Sequence, residues 1–170
     1  MNYKSLISDP KNLEILRLLL KNPRMSISAL ARQIGMSNPA AKERVVRLEE
    51  SGIISGYRLE LDAKELGYAV IAFVRIRPLP GHLPKIAELA RQIPEVAECH
   101  RITGEDCFIL KLYIPEIASL DEVLDRFLAH GQTTTSIVQS SPVSPRPPPL
   151  PGPSGGGRRT RLISRRNREA

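Results

Sequence analysis

The stretch SISALARQIGMSNPAAKERVVRL, residues 26–48, has apolar side chains at helical spacing on both sides of a short polar break. Its first half begins with Ser26, a suitable helix N-cap, and ends at Gly35, a residue type common at helix C-termini. Its second half begins at Ser37 or Asn38, either of which can cap a helix. The stretch therefore predicts two helices joined by a tight turn.

Each predicted helix has an apolar and a polar face, as a helix-turn-helix requires. The apolar positions that would fix the angle between the helices are Leu30, Ala31, Ile34, Val45 and Leu48. The candidate DNA-binding residues on the second helix are Ser37, Asn38, Pro39, Lys42, Glu43, Arg44 and Arg47. We assign Ser37 and Lys42 to phosphate contacts, and Asn38 and Arg44 to base edges, because Asn pairs with adenine and Arg with guanine. An ordinary three-helix unit with a solvated polar face has the same periodicity, so that alternative stays open at this point.

The flanking segments complete the first predicted domain. Asp9 and Pro10 begin an earlier helix as N-cap and first residue, and Asn22-Pro23 ends it. Residues 53–61 are rich in β-formers but broken by Gly56, which predicts a short strand, a turn and a linker.

The middle of the chain predicts an α+β domain. Strands are expected at residues 69–76, 96–102, 107–114 and 133–139, with helices at residues 82–93 and 120–128. The order βαββαβ is that of the ferredoxin-like fold, an antiparallel four-stranded sheet with both helices on one face. A second copy of the same sheet is the simplest cover for the other face, which predicts a homodimer.

Charge and composition give the domain boundaries. Lys and Arg outnumber Asp and Glu nine to five in residues 1–57 and seven to one in residues 144–170, but not in residues 58–143, where the ratio is nine to twelve. Basic ends suggest polyanion binding there. Seven of the fifteen prolines lie in residues 142–153, before a glycine run. We expect a helix-turn-helix domain at 1–57, a linker at 58–67, a sensing and oligomerisation domain at 68–143, and a disordered tail at 144–170.

Several function classes are disfavoured. No apolar run is long enough for a membrane helix and no signal sequence begins the chain, so we expect no membrane partner and a cytoplasmic location. His82, His100 and His130 are scattered, and Cys99 and Cys107 have no metal-ligand spacing, so we expect no catalytic residue, metal or cofactor. The rival to a DNA-binding regulator is a ligand-binding assembly module without specific DNA recognition. The cationic second helix argues against that rival, because protein-contact surfaces are apolar at their centres.

Two separated signatures narrow the function. The segments LARQIGMS (30–37) and RVVRLEESGIISGY (44–57), followed by TGEDCF (103–108) and TTSIV (134–138), resemble the Lrp/AsnC family of "feast/famine" regulators. The likeness covers roughly residues 5 to 143 and leaves the tail unexplained. The tail's arginines could add salt-sensitive DNA affinity, or the tail could be an unselected extension.

The resemblance implies a winged helix-turn-helix that binds double-stranded DNA, a ferredoxin-like sensing domain, dimers formed through the sheets, and often octamers. It also implies a small effector, an amino acid or related metabolite. The implied effector-binding residues are Ile102, Thr103, Gly104, Glu105, Asp106, Cys107, Thr134, Thr135 and Ser136. The common family pattern places Asp where this chain has Cys107, so the effector need not be that of the best-known members. Cys107 itself is expected to be a packed small hydrophobe, with a redox response as the alternative.

Overall fold

Four helices form the N-terminal unit. The structure is a computed structural model that describes residues 3–152, with side chains described from Ser5 onward. The helices are α1 (Tyr3–Ser8), α2 (Pro10–Lys21), α3 (Ile27–Ile34) and α4 (Asn38–Glu50). Within the described residues this unit comprises residues 3–58 together with 146–152.

The helix ends follow the capping signals of the sequence. Asp9 caps α2, Ser26 caps α3 by accepting from the Ala29 amide at 3.2 Å, and Ser37 caps α4. Gly35 ends α3 in the left-handed region with φ 64°, a conformation that side chains disfavour. These caps fix the turn between α3 and α4, and so confirm the predicted helix-turn-helix.

One continuous apolar cluster holds the four-helix unit together. Its buried members are Ile15, Leu16, Leu19, Leu30, Ala31, Ile34, Ala41, Val45 and Leu48. Helix α1 was not predicted from the sequence. It is tied to α2 because the Asn12 side-chain amide donates to the Leu6 carbonyl oxygen at 3.0 Å.

The structure corrects one sequence expectation about the flanks of this unit and adds a contact to another. Residues 53–61 form no strand; Ile53 and Ile54 pack instead against the helical core. In the expected tail, residues 144–152 have no helix or strand, and Leu150 is half-buried against the same core. The rest of that tail, residues 153–170, lies outside the described residues.

The second unit, residues 59–145, is a four-stranded antiparallel sheet with two helices. Its elements are β1 (Val70–Pro78), α5 (Leu83–Gln92), β2 (Val96–Arg101), β3 (Phe108–Ile114), α6 (Ala118–Leu128) and β4 (Gly131–Ile137). The spatial order β2-β3-β1-β4 is that of the ferredoxin-like fold, as the βαββαβ order predicted. No helix among residues 3–152 is long and apolar enough to cross a membrane.

Alternation along the central strands separates the two faces of the sheet. In β3, Phe108, Leu110, Leu112 and Ile114 are fully buried under the helices, and in β1 the same is true of Ala72, Val74 and Ile76. His82 and His130, whose Nδ1 atoms lie 2.9 Å apart, join the start of α5 to the segment after α6. One sheet face is thus a core, and the side chains between these positions form the other face.

Candidate nucleic-acid interface and ligand site

Helix α4 presents one polar, exposed face. Ala41, Val45 and Leu48 are buried and hold the helix against the core. The predicted DNA-binding residues that lie exposed are Ser37, Asn38, Pro39, Lys42, Glu43 and Arg47. Six of the seven predicted residues are therefore accessible on this helix or at its N-terminus.

The exposed face has its own internal chemistry. Glu43 and Arg47, one helical turn apart, form an ion pair with 2.5 Å between Oε1 and Nη2. Lys42 makes no ion pair with any residue from 3 to 152. Val46 lies on the same face and is 37% exposed. The face therefore combines an unpaired cation, a paired guanidinium and one aliphatic side chain.

Arg44 is the predicted residue that does not belong to this face. It is half-buried, and its Nη1 donates to Asp9 Oδ2 at 2.6 Å and to Asn12 Oδ1 at 2.7 Å. The structure therefore does not place Arg44 on the exposed face, and its assignment to a base edge stays a prediction. Arg44 lies three residues after Ala41 and four before Leu48, at the border of the buried face, where α2 supplies acceptors for its guanidinium.

Asp9 performs two tasks with its two carboxylate oxygens. Oδ1 accepts from the Lys11 amide at 2.8 Å and the Asn12 amide at 3.3 Å, which caps α2, while Oδ2 accepts from Arg44. The hydrogen bond from Arg44 is the largest cause that lowers the pKa of Asp9, burial opposes it, and the two backbone N–H groups assist. The charged form of Asp9 is thus the form that joins α2 to α4.

The predicted effector loop, residues 102–107, is a hairpin between β2 and β3 closed by Ile102 N donating to the Cys107 carbonyl at 2.9 Å. Two arginines of β1 contact this loop. Arg77 pairs with Glu105 and lies 3.8 Å from Asp106, and Arg75 also lies 3.8 Å from Asp106. Two arginines and two acidic residues therefore lie together at this loop, and their formal charges cancel.

The register of β4 divides the other predicted effector residues. Thr134 pairs with Arg75 and Ser136 with Phe73, so both lie on the face opposite the helices. Thr135 pairs with the buried Val74 and faces the helices instead. The structure therefore brings the loop, β1 and two of the three predicted β4 residues to one face.

Cys107 is half-buried and packs against the sheet core, as expected for a small hydrophobe. Its Sγ lies 3.9 Å from the Glu105 carbonyl oxygen. The neighbouring Asp106 carboxylate approaches the arginines of β1 instead. The two residues thus have different surroundings, and Asp106 does not simply substitute for an Asp at position 107.

The face of the sheet away from the helices is partly apolar. Phe73 is 39% exposed, and the rings of Tyr68 and Tyr113 lie 6.5 Å apart. Glu98 accepts from Lys111 at 3.2 Å and lies 3.4 Å from the His100 ring nitrogen. We call this surface the open sheet face.

Comparison with known proteins matches both units of the chain to known domain families. The sequence model of the Lrp/AsnC ligand binding domain matches residues 71–148, and that of a winged helix-turn-helix DNA-binding domain matches residues 8–55. The chain is 36% identical over 133 residues to the uncharacterized HTH-type transcriptional regulator YezC of Bacillus subtilis, covering 78% of this chain and 94% of that protein. This chain belongs to the Lrp/AsnC family of transcriptional regulators.

Solved structures of Lrp/AsnC proteins agree with the fold. The structure of LrpC from Bacillus subtilis matches with a TM-score of 0.74 at 31% identity, covering 78% of this chain and 95% of that one. A feast or famine regulatory protein of Mycobacterium tuberculosis, solved in complex with L-methionine, matches with a TM-score of 0.76 at 29% identity, covering 84% and 99%. As an Lrp/AsnC protein, the chain is a DNA-binding transcriptional regulator with a ligand-binding domain and not an enzyme.

Residues that sequence reasoning missed at these two sites are Asp9, Asn12, Val46, Arg75 and Arg77. For Val46 and for the two arginines of β1, the sequence pattern did contain a signal. Val46 recurs at helical spacing with the exposed face of α4, and the β1 arginines alternate with buried residues. For Asp9 and Asn12 no local signal existed, because their partner is more than thirty residues away.

Proposed function

We propose that α4 is the recognition helix of this regulator and enters the major groove of duplex DNA with its exposed face. The observation that carries the proposal is that Asn38, Lys42 and Arg47 are exposed while the opposite side of α4 is buried. Lys42 and the helix N-terminus favour phosphate, while Asn38 and Arg47 have the geometry to pair with adenine and guanine edges. Val46 offers a methyl surface for thymine.

A binding experiment on duplexes selected by the wild-type protein from a random DNA pool tests this proposal. Lys42→Ala should weaken binding to all sequences alike and reduce the salt slope by about one. Arg47→Ala should cost about 1–3 kcal/mol and relax preference at one base pair. Arg17→Ala, an exposed arginine of α2, is the matched control and should preserve the preference. A pool that yields no preferred sequence would contradict the proposal and favour an assembly module without specific DNA recognition.

We also infer that the loop 102–107 and the exposed β4 residues Thr134 and Ser136 bind a small effector of the amino-acid class. The Glu105 side chain that pairs with Arg77 is 80% exposed, and exposed ion pairs contribute only about 0–1 kcal/mol. A ligand carboxylate can therefore replace Glu105 on Arg77 at little cost. The Mycobacterium tuberculosis relative, which binds L-methionine, supports the ligand class.

Calorimetric titration with L-methionine, followed by the other amino acids, tests the effector site. Glu105→Gln should tighten binding because it removes the competing carboxylate, and Thr134→Val should weaken it because it removes a hydroxyl group. Thr133→Val is the control, since Thr133 pairs with Ile76 and faces the helices. Identical effects of the two threonine substitutions, or no binding by any amino acid, would contradict the assignment.

We propose further that two copies of the chain pair through the open sheet face to form a homodimer, and that this homodimer acts in the cytoplasm. Phe73 is a large apolar side chain on that face, and a second sheet would remove it from water. The two recognition helices of such a dimer would meet successive major grooves about 34 Å apart. Phe73→Lys should shift the sedimentation profile towards monomer, whereas an unchanged profile would place the interface elsewhere.

A further inference from the structure

Three side chains of the N-terminal unit form a small polar network beneath α4. We call Asp9, Asn12 and Arg44 the clasp. Arg44 Nη1 donates to both Asp9 and Asn12, at 2.6 and 2.7 Å, and Asn12 in turn donates to the Leu6 carbonyl. One guanidinium thus connects α4 to the first turn of α2, and through Asn12 to α1.

The surroundings of the clasp make it a rigid connection. Asn12 is 3% exposed, and about 30% of the Asp9 and Arg44 side chains remains accessible. Both acceptors are also held by other hydrogen bonds: Asp9 accepts from two amides of α2, and Asn12 donates to a carbonyl of α1. Hydrogen bonds between charged groups are stronger than neutral ones, and their direction fixes the positions of both partners.

We propose that Arg44 is a positioning residue, which orients the recognition helix through Asp9 and Asn12 and does not itself contact DNA. The proposal rests on the DNA-binding role proposed above for α4. Under this proposal Asp9 is required for DNA binding, although it is an acidic residue of the DNA-binding unit and its charge repels phosphate.

The direction in which DNA affinity changes when the Asp9 charge is removed tests this proposal. If Arg44 contacted a base, its ion pair with Asp9 would compete with that contact, and removing the Asp9 charge would strengthen DNA binding. If Arg44 orients α4, removing that charge weakens binding. Asp9→Asn is the suitable variant because asparagine caps helices as well as aspartate does, so that α2 keeps its cap while the charge and the acceptor for Arg44 are lost.

The experiment measures affinity of the full chain for duplexes selected by the wild-type protein. Asp9→Asn should weaken binding by about tenfold, the scale of one charge-assisted hydrogen bond, and Arg44→Met, which removes two hydrogen bonds, should weaken it at least as much. The double variant should bind no more weakly than Arg44→Met, since the Asp9 contact is already lost in that variant. Base preference and salt slope should stay as in the wild type, because no base or phosphate contact is removed. Glu50→Gln, an exposed charge on the same helix, is the control and should leave affinity unchanged or slightly higher.

Tighter or unaltered binding by Asp9→Asn would overturn the proposal, as would a loss of preference at a single base pair in Arg44→Met. Arg44→Lys provides a milder change if the methionine variant does not fold, and is expected to bind more weakly than the wild type with the same preference. A double-mutant cycle on urea unfolding without DNA tests the clasp separately from the DNA-binding role of α4. Absence of coupling between Asp9 and Arg44 refutes the clasp, whereas coupling without any sequence-specific DNA binding refutes only the role of α4.

Discussion

Gly131, the first residue of β4, lies where the chain has no room for a side chain. A Cβ at this position would stand 2.6 Å from the Arg77 carbonyl oxygen, 3.0 Å from Ile76 Cγ2 and 3.1 Å from Pro78 Cα. Two of these three neighbours are backbone atoms of β1, the strand that pairs with β4. Gly131→Ala must therefore push the two strands apart at the end of the sheet.

The size of the effect follows from this geometry. Excess volume in a packed site costs about 1–3 kcal/mol, and the upper part of that range applies because paired backbone cannot rotate away. Replacing glycine by alanine recovers about 0.4–1 kcal/mol through the unfolded chain. We expect a net loss of about 2 kcal/mol, which corresponds to a fall in Tm of roughly 8–16 °C for a unit of this length.

Near-UV circular dichroism of the tyrosines can follow the melting, because the chain has no tryptophan and two of its four tyrosines, Tyr68 and Tyr113, lie 6.5 Å apart in the ferredoxin-like unit. Gly152→Ala is the control, since a Cβ there meets nothing within 4 Å. Equal melting temperatures for Gly131→Ala, Gly152→Ala and the wild type would refute the steric argument. A loss confined to the helical unit would refute it as well, because Gly131 belongs to the sheet.

Three further outcomes are expected. Ser37→Ala and Ser26→Ala should each cost about 1 kcal/mol in urea unfolding, because each removes an N-cap, but only Ser37→Ala should also weaken DNA binding in a gel shift. The Arg44 hydrogen bond lowers the pKa of Asp9 below its ordinary 3.8, so the stabilisation is complete above that pH and is lost as pH falls through the lower native pKa. Urea midpoints between about pH 6 and pH 2 should therefore fall further for the wild type than for Asp9→Asn, and parallel curves would contradict this. Leu150→Ala should destabilise the helical unit by about 1–2 kcal/mol because Leu150 is half-buried there, and an unchanged midpoint would show that its contact is dispensable.

The parts of the fold that the sequence predicted are those with local causes. Ser26, Gly35 and Ser37 cap helices wherever their neighbours repeat apolar residues at helical spacing, so the helix-turn-helix needed no long-range information. The alternation of buried and more exposed residues in β1 and β3 is also a local pattern, and it predicts strands without long-range information. Boundaries moved by a few residues because the last ladder pairs depend on the partner strand.

The strand expected at residues 53–61 was wrong because β-propensity does not account for the need for a partner strand. A strand is stabilised by cross-strand pairs, and the described part of the helical unit contains no other strand with which this segment could pair. Ile53 and Ile54 bury their side chains against the helices instead. Helix α1 was missed for the opposite reason: six residues are too short for a periodic signal, and its position depends on a contact with Asn12.

The site was predictable to the extent that exposure follows from helical spacing. Lys42 and Arg47 were placed correctly on the exposed face because the buried positions of α4 define the opposite one. Arg44 lies at the border between the two faces, where spacing alone allows either outcome. Its orientation was decided by Asp9 and Asn12, residues that the same unit needs for the start of α2. In a helix-turn-helix this small, a cation at the border of the recognition helix therefore has to be assigned by the acceptors that the supporting helix offers it, and its charge alone does not identify a base contact.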